Sequence, residues 1–276
     1  MTLTSRPRAV VTGAAGGLGR ALCLALAGRH ADLVVSDVNL TRAEETAQLV
    51  VRAGGTARTL ACDVAKPEQV EALAQLADSE LGGADFVVNN AGVAVAGMVG
   101  DVPLDDWAWI FGVNLWGVIH GCHSFVPRFK RQGRGHILNV ASAAGLLSPP
   151  EMAPYNVTKA GVISLSETLF SELRPLGVGV TVLCPTYFQT DIINSARTHS
   201  FSEAQGNAER LMKNSKIQAP DVAQLALAAC DKDQLYCVPM MDGKLARGLK
   251  GLAPETFYRR IMPTMFAAMR KLQARG

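Results

Sequence analysis

Tyr155 and Lys159 are the two residues whose types and spacing most directly suggest chemistry. Residues four apart on a helix lie on one face, so we expect the Lys159 ammonium beside the Tyr155 phenol. A free phenol has a pKa of about 10, and a nearby positive charge favours the phenolate and lowers that pKa. The pair could therefore move a proton on or off an alcohol oxygen. The alternative is an ordinary helix with a half-buried Tyr and a surface Lys.

A glycine-rich turn stands near the start of the chain, between a short apolar run and a segment with helical spacing. The turn reads TGAAGGLG and has the spacing G-x-x-x-G-x-G, with Gly13, Gly17 and Gly19 at its fixed positions. Glycines allow a tight turn and a close approach to a pyrophosphate, whose charge is favoured at a helix N-terminus. With Leu18 opening the helix, the turn predicts a dinucleotide site.

Asp37 follows the second apolar run, 18 residues after Gly19. An acidic residue that binds the adenosine ribose is expected about 20 residues after such a turn. Its carboxylate would accept hydrogen bonds from the ribose hydroxyls and repel a 2′-phosphate. No Lys or Arg in the glycine turn, at Val38 or at Asn39 could receive that phosphate. The sequence therefore favours NAD over NADP, and the alternative is that Asp37 only caps the turn at 39–41.

The elements that must position these residues are apolar runs alternating with segments of helical spacing. The runs are almost continuously apolar, which is typical of parallel strands covered by helices on both faces. We expect a single-domain α/β, Rossmann-like, doubly wound parallel sheet of about seven strands. The expected strands are 8–12, 32–36, 56–61, 85–89, 136–140, 178–183 and 235–238. The expected helices begin near Leu18, Thr41, Pro67, Pro103, Pro154 and Pro220.

Composition and charge narrow the class of protein further. With 276 residues, 49% of them hydrophobic and 18% charged, the chain can form a large core. Six cysteines without C-x-x-C spacing suggest reduced thiols, and no apolar run approaches a membrane span or a signal peptide. We therefore expect a cytoplasmic protein that binds neither a metal nor nucleic acid. Residues 244–276 hold eight basic residues and one acidic residue, a net charge of +7, whereas residues 1–243 carry −4.

These motifs, taken with four others, resemble the short-chain dehydrogenase/reductase (SDR) family in its compact single-domain form. The resemblance covers about residues 8–238 and includes the family's T-G-x-x-x-G-x-G motif at 12–19. The remaining motif residues are Asp63 followed by Val64, the N-N-A-G run that contains Asn90, Ala91 and Gly92, then Asn114, Ser142, and the Tyr155–Lys159 pair.

The resemblance implies hydride transfer at a nicotinamide, coupled to proton transfer at the substrate oxygen. Tyr155 would be the acid/base, and Lys159 would lower its pKa and hold the nicotinamide ribose. Ser142 would bind the substrate oxygen, and Asn114 would hold a water that links Lys159 to solvent. The implied cofactor-binding residues are Gly13, Gly17, Leu18, Gly19, Asp37, Asp63, Val64, Asn90, Ala91, Gly92, Tyr155, Lys159, Pro185 and Thr190.

One departure from the family pattern lies after the sixth expected strand, where Pro185-Thr186 replaces the usual Pro-Gly. A β-branched residue disfavours positive φ, so the loop over the nicotinamide is expected to differ. The segment 187–217 would close over the substrate. Because the expected pocket walls at 93–98 and 143–152 are mostly apolar, we predict a small hydrophobic secondary alcohol or ketone.

We divide the chain into a catalytic domain, 1–243, and a basic amphipathic tail, 244–276, that is not a separate domain. Apolar residues of the tail fall near one helical stripe at Phe257, Ile261, Met265, Met269 and Leu272. A basic amphipathic helix could pack on protein, or contact a membrane peripherally. The family resemblance also implies a homo-oligomer, either a dimer or a tetramer.

Two rival interpretations stay open at this point. One keeps the fold but makes the protein an NADP-dependent carbonyl reductase of another substrate class. The other is a catalytically idle scaffold that binds NAD. The complete set of Ser142, Tyr155 and Lys159 argues against the scaffold, because a protein that only binds does not need a tuned phenol.

Overall fold

Nine strands form in the computed structural model, which describes residues 5–193, 195–199, 212–264 and 267. In chain order they are β1 (Arg8–Val11), β2 (Asp32–Asp37), β3 (Thr56–Ala61), β4 (Phe86–Asn89), β5 (Val95–Ala96), β6 (Gly135–Val140), β7 (Val178–Leu183), β8 (Arg197–Thr198) and β9 (Tyr236–Cys237). Seven of them make one parallel sheet of order β3-β2-β1-β4-β6-β7-β9, while β5 and β8 pair separately. The predicted doubly wound sheet is confirmed.

Ten α-helices connect or flank these strands in the described part of the chain. They are α1 (Gly17–Ala27), α2 (Leu40–Arg52), α3 (Pro67–Leu81), α4 (Leu104–Phe111), α5 (Gly117–Gln132), α6 (Ala143–Leu147), α7 (Ala153–Leu173), α8 (Ala219–Asp231), α9 (Met241–Leu252) and α10 (Pro254–Thr256). The connections that carry helices between parallel strands place them on both faces of the sheet.

The central strands β1, β4, β6 and β7 are buried along almost their whole length because helices cover both of their faces, whereas the edge strand β3 is partly exposed. Successive side chains point to opposite faces, so Val11 joins a core with Leu22 of α1, while Val10 joins a second core with Leu73 of α3. Helices α1, α2 and α8 contribute to the first core, and α3, α5 and α7 to the second. All six cysteines are buried free thiols.

The chain reverses its direction of winding between β1 and β4. Strands β2 and β3 lie on one side of β1, and β4, β6, β7 and β9 lie on the other. In such sheets a crevice opens at the carboxyl ends of the strands where the order reverses, and ligands bind there.

Two helix boundaries differ from the sequence expectation. The helix expected from Pro103 is interrupted by a π-helical turn at Gly112–Trp116, which separates α4 from α5. The expected N-cap Thr41 is wrong, because α2 begins earlier and the side chain of Asn39 accepts the Arg42 N–H at 3.1 Å. Asn is a strong N-cap residue for the same reason as Thr, since its side-chain oxygen satisfies a free backbone donor.

The segments expected to form a lid and a tail are described in part. A 3-10 turn at Asp191–Ile193 and strand β8 belong to the expected lid, whereas residues 200–211 lie outside the described residues. In the tail, Phe257 is buried with Ala246 against Leu147. This residue of the predicted stripe therefore packs on the body of the protein. The other stripe residues Met265, Met269 and Leu272 lie outside the described part of the chain.

Candidate active site

A cleft of about 710 Å³ opens at the carboxyl ends of the central strands. It is lined by almost every residue that the sequence singled out. These are Gly13, Gly17, Leu18, Asp37, Asp63, Val64, Asn90, Ala91, Gly92, Ser142, Tyr155, Lys159, Pro185 and Thr190. Gly19 and Asn114 do not line the cleft, and both are buried behind its wall.

The glycine turn has the geometry that a close approach to a ligand requires. Gly13 and Gly17 have φ of +63° and +49°, which lie in the left-handed region that favours glycine. A Cβ on Gly13 would lie 2.6 Å from the Cα of Ala91, and a Cβ on Gly19 would lie 2.1 Å from the Gly13 carbonyl oxygen. Gly19 therefore faces the backbone of the turn and not the cleft, and a larger residue would not fit there.

Asn90 joins the ends of β1 and β4 beneath the cleft. Its Nδ2 donates to the carbonyl oxygens of Thr12 and Gly13, at 3.0 and 2.9 Å. The Thr12 hydroxyl accepts the backbone N–H groups of Asn90 and Ala91 in return. These bonds fix the glycine turn relative to β4 and hold one wall of the cleft.

Asp37 caps the turn that follows β2, as the alternative interpretation expected. Its carboxylate accepts the N–H of Asn39 and the N–H of Ala15, both at 3.0 Å. An ionised carboxylate offers about four acceptor positions, so positions remain on the side that lines the cleft. The capping role is observed, and the ribose-binding role stays a prediction.

Asp63 and Val64 are held at the far wall of the cleft by short local bonds. The Asp63 carboxylate accepts the Ala65 N–H at 3.0 Å, and its own N–H donates to Gln69 at 2.8 Å. His120 bonds to the Val64 carbonyl oxygen through Nδ1 at 2.9 Å. Among the residues that the structure describes, no cluster of His, Cys, Asp or Glu could hold a metal ion.

Asn114 lies in the π-helical turn and is fully buried. Its Oδ1 accepts the Val93 N–H and its Nδ2 donates to the Val93 carbonyl oxygen, both at 2.8 Å. A π turn shifts the hydrogen-bond pattern of a helix and often occurs at functional sites. Here it directs an amide side chain onto the backbone that follows Gly92. The predicted water-holding role of Asn114 is not tested by these contacts.

Ser142, which follows β6, and Tyr155 and Lys159, which lie on α7, meet in the lining of the cleft. Ser142 is the N-cap of α6, where its Oγ accepts the Ala144 N–H at 3.1 Å. The Lys159 Nζ is buried, donates to the Val140 carbonyl oxygen at 2.8 Å, and lies 5.7 Å from the centre of the Tyr155 ring. The predicted helical pairing of Tyr155 and Lys159 is therefore present on α7.

The pKa values of this pair are both shifted by burial. Withdrawal from water raises the pKa of Tyr155 to about 12, although a hydrogen bond from Ser142 acts to lower it. Withdrawal from water also lowers the pKa of Lys159 to about 8. The net pKa of Tyr155 is thus raised and not lowered, because desolvation disfavours the charged form. The effect of the Lys159 charge on that pKa stays a prediction.

Thr190 and Thr186 occupy the loop that follows β7. The Thr190 Oγ1 is buried without a hydrogen-bond partner in the described structure, and Thr190 lines the cleft. Buried hydroxyl groups normally have partners, so this atom points to a ligand that would supply one. Thr186 does not have positive φ, and its hydroxyl donates to Asp242 at 3.2 Å. The loop therefore accepts Thr in place of Gly without backbone strain.

Arg42 and Asp191 are cleft residues that the sequence analysis missed. They form an ion pair of 2.6 Å between the first turn of α2 and the segment after β7. The pair lies against the glycine turn, since a Cβ on Gly16 would be 2.4 Å from Asp191 Oδ2 and 2.8 Å from Arg42 Nη2. Arg42 stands five residues after Asp37 in a first helical turn, and that position could have drawn attention to it.

The family model described as short chain dehydrogenase matches residues 7–200. The chain therefore belongs to the short-chain dehydrogenase/reductase family, whose members are oxidoreductases, and the resemblance drawn from the motifs is confirmed. A crystal structure of a family member from Burkholderia phymatum in complex with NAD is 35% identical, with a TM-score of 0.87, and the match covers 92% of this chain and 96% of that chain.

Curated relatives carry several different names. "Probable oxidoreductase EphD" of Mycobacterium tuberculosis (strain ATCC 25618 / H37Rv) is 34% identical over 90% of this chain, which spans only 41% of that protein. D-beta-hydroxybutyrate dehydrogenase of Rhizobium meliloti (strain 1021) is 33% identical over 82% of this chain and 92% of its own length. 3beta-hydroxysteroid dehydrogenase 1 of Eggerthella lenta is 34% identical over 82% of this chain and 86% of its own length.

Proposed function

We propose that this protein is an NAD(H)-dependent oxidoreductase that interconverts a hydrophobic secondary alcohol and its ketone. The observation that carries the proposal is the meeting of Ser142, Tyr155 and Lys159 in one cleft with the glycine turn. The cleft also fits a dinucleotide, because Gly13, Gly16 and Gly17 present backbone without side chains to it and Thr190 Oγ1 is buried without a partner. The Burkholderia relative crystallised with NAD supports the same cofactor class.

When bound, the nicotinamide supplies the hydride acceptor or donor. Tyr155 takes the hydroxyl proton when the alcohol is oxidised and returns it when the ketone is reduced. Ser142 donates a hydrogen bond to the substrate oxygen and stabilises the charge that develops there. Lys159 holds the cofactor ribose, and the positive charge of its ammonium favours the phenolate of Tyr155. Asn114 holds the backbone of Val93 at the edge of this site.

The preference for NAD over NADP is part of the proposal. Asp37 lines the cleft where a 2′-phosphate would be repelled. Arg42 is the nearby cation, and its hydrogen bond with Asp191, together with the charges of Asp37 and Glu45, raises the pKa of its guanidinium. An arginine already neutralised by these carboxylates is a poor receptor for a phosphate. NADP-dependent reduction of another substrate class is the rival outcome.

The proposed substrate class rests on the side chains that face the substrate half of the cleft. They are mainly apolar: Val93, Trp109, Val113, Phe188, Ile192 and Met212. Among the described lining residues the cations are Arg42 and Lys159, and none is a His. The names of the hydroxybutyrate and hydroxysteroid relatives differ in substrate size and charge. Turnover confined to small charged hydroxy acids or phosphorylated sugars would contradict the proposal.

Partners and location stay within the proposal as well. We propose a homo-oligomer in the cytoplasm, in line with the family resemblance. In the part of the chain that the structure describes, none of the helices is both long and apolar enough to cross a membrane.

The decisive experiment is Tyr155→Phe, which removes the phenol oxygen and leaves the ring. We expect kcat to fall by about 10²–10⁴-fold, because proton transfer by a positioned group contributes that much. The affinity for NAD, measured by fluorescence titration, is expected to stay close to that of the unmodified protein.

The matched control is Tyr258→Phe, which removes a phenol that donates to Leu147 outside the cleft. It is expected to leave kcat unchanged. If Tyr155→Phe turns over normally, the proposed mechanism is wrong. If the unmodified protein and Tyr258→Phe both bind NAD but turn over no alcohol or ketone, the scaffold interpretation is favoured instead.

A further inference from the structure

The outer face of α9 carries large apolar side chains that are open to solvent. Four of them follow the spacing i, i+4, i+8 and i+11, which places them on one stripe. Their exposed fractions are 64% for Met241, 62% for Leu245, 48% for Leu249 and 87% for Leu252. Scattered exposed apolar residues are normal on proteins, but a contiguous stripe of four marks an interaction surface.

The inner face of the same helix is built from small residues. Gly243 approaches Thr186 so closely that a Cβ would lie 2.9 Å from its methyl group, and Ala246 is buried beside Phe257. A helix that packs on a core normally turns its large apolar residues inward. The pattern of α9 is the reverse, so packing on the body of the protein does not explain the leucines.

Positive charge accumulates in the same part of the sequence. Lys244, Arg259 and Arg260 are exposed, and residues 244–276 carry a net charge of +7 against −4 for the rest of the chain. A surface that combines an apolar stripe with basic residues suits the boundary between the acyl chains and the anionic headgroups of a bilayer.

We propose that the exposed stripe of α9 and the basic residues around it form a docking surface for an anionic lipid bilayer. A second copy of the chain is the main rival occupant. A symmetric dimer would place the same patch of both copies face to face, and would bring two segments of charge +7 together. An anionic bilayer satisfies the apolar stripe and the charge at once. This proposal does not depend on the reaction proposed above.

The docking surface is fixed relative to the cleft by hydrogen bonds from α9 and the turn after it. Lys250 Nζ donates to the Leu146 carbonyl oxygen at 2.5 Å, and the Tyr258 hydroxyl donates to the Leu147 carbonyl oxygen at 3.0 Å. Thr186 of the cleft loop bonds Asp242 of α9. The docking surface is therefore attached to the loop that lines the cleft through the opposite face of the same helix.

Vesicle co-sedimentation of the full chain tests the proposal. The intact protein is expected to pellet with mixed phosphatidylcholine–phosphatidylglycerol vesicles, and much less with phosphatidylcholine alone. The double variant Leu245→Glu/Leu249→Glu is expected to reduce the bound fraction about tenfold or more, because it places carboxylates where apolar side chains enter the interface. Leu252→Glu changes the most exposed position and is expected to act in the same direction. Raising the salt concentration should weaken the binding of the intact protein.

The matched control is Val51→Glu/Leu104→Glu, which adds the same charges at two exposed apolar residues on other surfaces. It is expected to pellet like the intact protein. NAD affinity and melting temperature verify that every variant is folded, independently of vesicle binding. Equal pelleting of the intact protein and both α9 variants overturns the proposal, as does absence of binding to either vesicle. If the intact protein ignores vesicles and Leu245→Glu/Leu249→Glu lowers its mass in light scattering, the surface joins two copies instead.

Discussion

Lys159 is the residue at which function and stability oppose each other most clearly. Its ammonium is buried, its one hydrogen bond of 2.8 Å goes to the Val140 carbonyl oxygen, and its pKa is lowered to about 8 by withdrawal from water. An unfolded lysine keeps a pKa near 10.4. Below about pH 8 both states are charged, and the folded state alone bears the desolvation cost. Between about pH 8 and 10.4 the folded state loses its proton first, so that cost fades as the pH rises.

Lys159→Met is therefore expected to stabilise the protein at pH 7 while it abolishes turnover. The lowered pKa corresponds to an upper limit of about 3 kcal/mol, at about 1.4 kcal/mol per pKa unit. The variant also leaves the Val140 carbonyl oxygen without its donor, which costs about 1–3 kcal/mol, so we expect a net gain of about 0–2 kcal/mol. Urea unfolding at pH 7 and pH 10 measures the difference, which should shrink at the higher pH. Lys130→Met, at an exposed lysine, is the control without pH dependence. A less stable Lys159→Met protein at pH 7 would contradict this account.

At the scale of elements, the sequence predicted those structures that leave a pattern over several residues. The central strands of the main sheet were predictable because both of their faces are buried, which leaves apolar runs such as Phe86-Val87-Val88 in β4. Strands β5 and β8 were not, because two residues carry no periodicity. The π turn around Asn114 was also missed, since a shifted backbone hydrogen bond requires no special composition.

Contacts between distant elements were out of reach for a different reason. Arg42 and Asp191 are 149 residues apart, and neither belongs to a recognisable motif. Their ion pair depends on the angle at which α2 and the loop after β7 meet over the glycine turn. Motif residues such as Tyr155 and Lys159 were predictable because their partners lie one helical turn away.

The Arg42–Asp191 ion pair joins two walls of the cleft, and we expect it to slow the release of NAD. Exposed ion pairs contribute about 0.2–1 kcal/mol, so Arg42→Gln and Asp191→Asn should each raise the dissociation rate about two- to fivefold. Stopped-flow displacement of NADH measures the rate. Because the two residues act through one contact, the dissociation rate of the double variant should be no higher than that of the faster single variant. Arg58→Gln, which breaks an exposed ion pair with Glu80, is the control. Additive effects in the double variant would show that the two residues act separately.

At the scale of the whole molecule, the cleft gathers residues from most of the chain. Its walls extend from Gly13 in the first turn to Met212 near the start of α8. The sequence predicted this assembly, since parallel strands bring their carboxyl ends to one edge of the sheet. What it did not predict is the ion pair of Arg42 and Asp191, which adds one charge of each sign to the lining. The described lining contains Asp37, Asp63 and Asp191 against two cations, Arg42 and Lys159. The proposed preference for NAD over NADP rests on that balance.

Because ligands stabilise the folded state that binds them, melting temperature reports this choice for the whole chain. At a concentration 100 times its dissociation constant, NAD should add about 2.7 kcal/mol and raise the melting temperature by about 5–10 °C. NADP at the same concentration should raise it less, because Asp37 repels the 2′-phosphate.

Asp37→Asn removes that charge and keeps an oxygen that can accept the N–H groups of Ala15 and Asn39. The variant is expected to narrow the gap between the two ligand-induced shifts, whereas Asp105→Ala, at an exposed carboxylate in α4, should not. Differential scanning fluorimetry compares the shifts rather than the absolute temperatures, so any loss of the Asp37 cap cancels. If NADP and NAD raise the melting temperature of the intact protein equally, the proposed preference for NAD is wrong. That result would favour the NADP-dependent alternative.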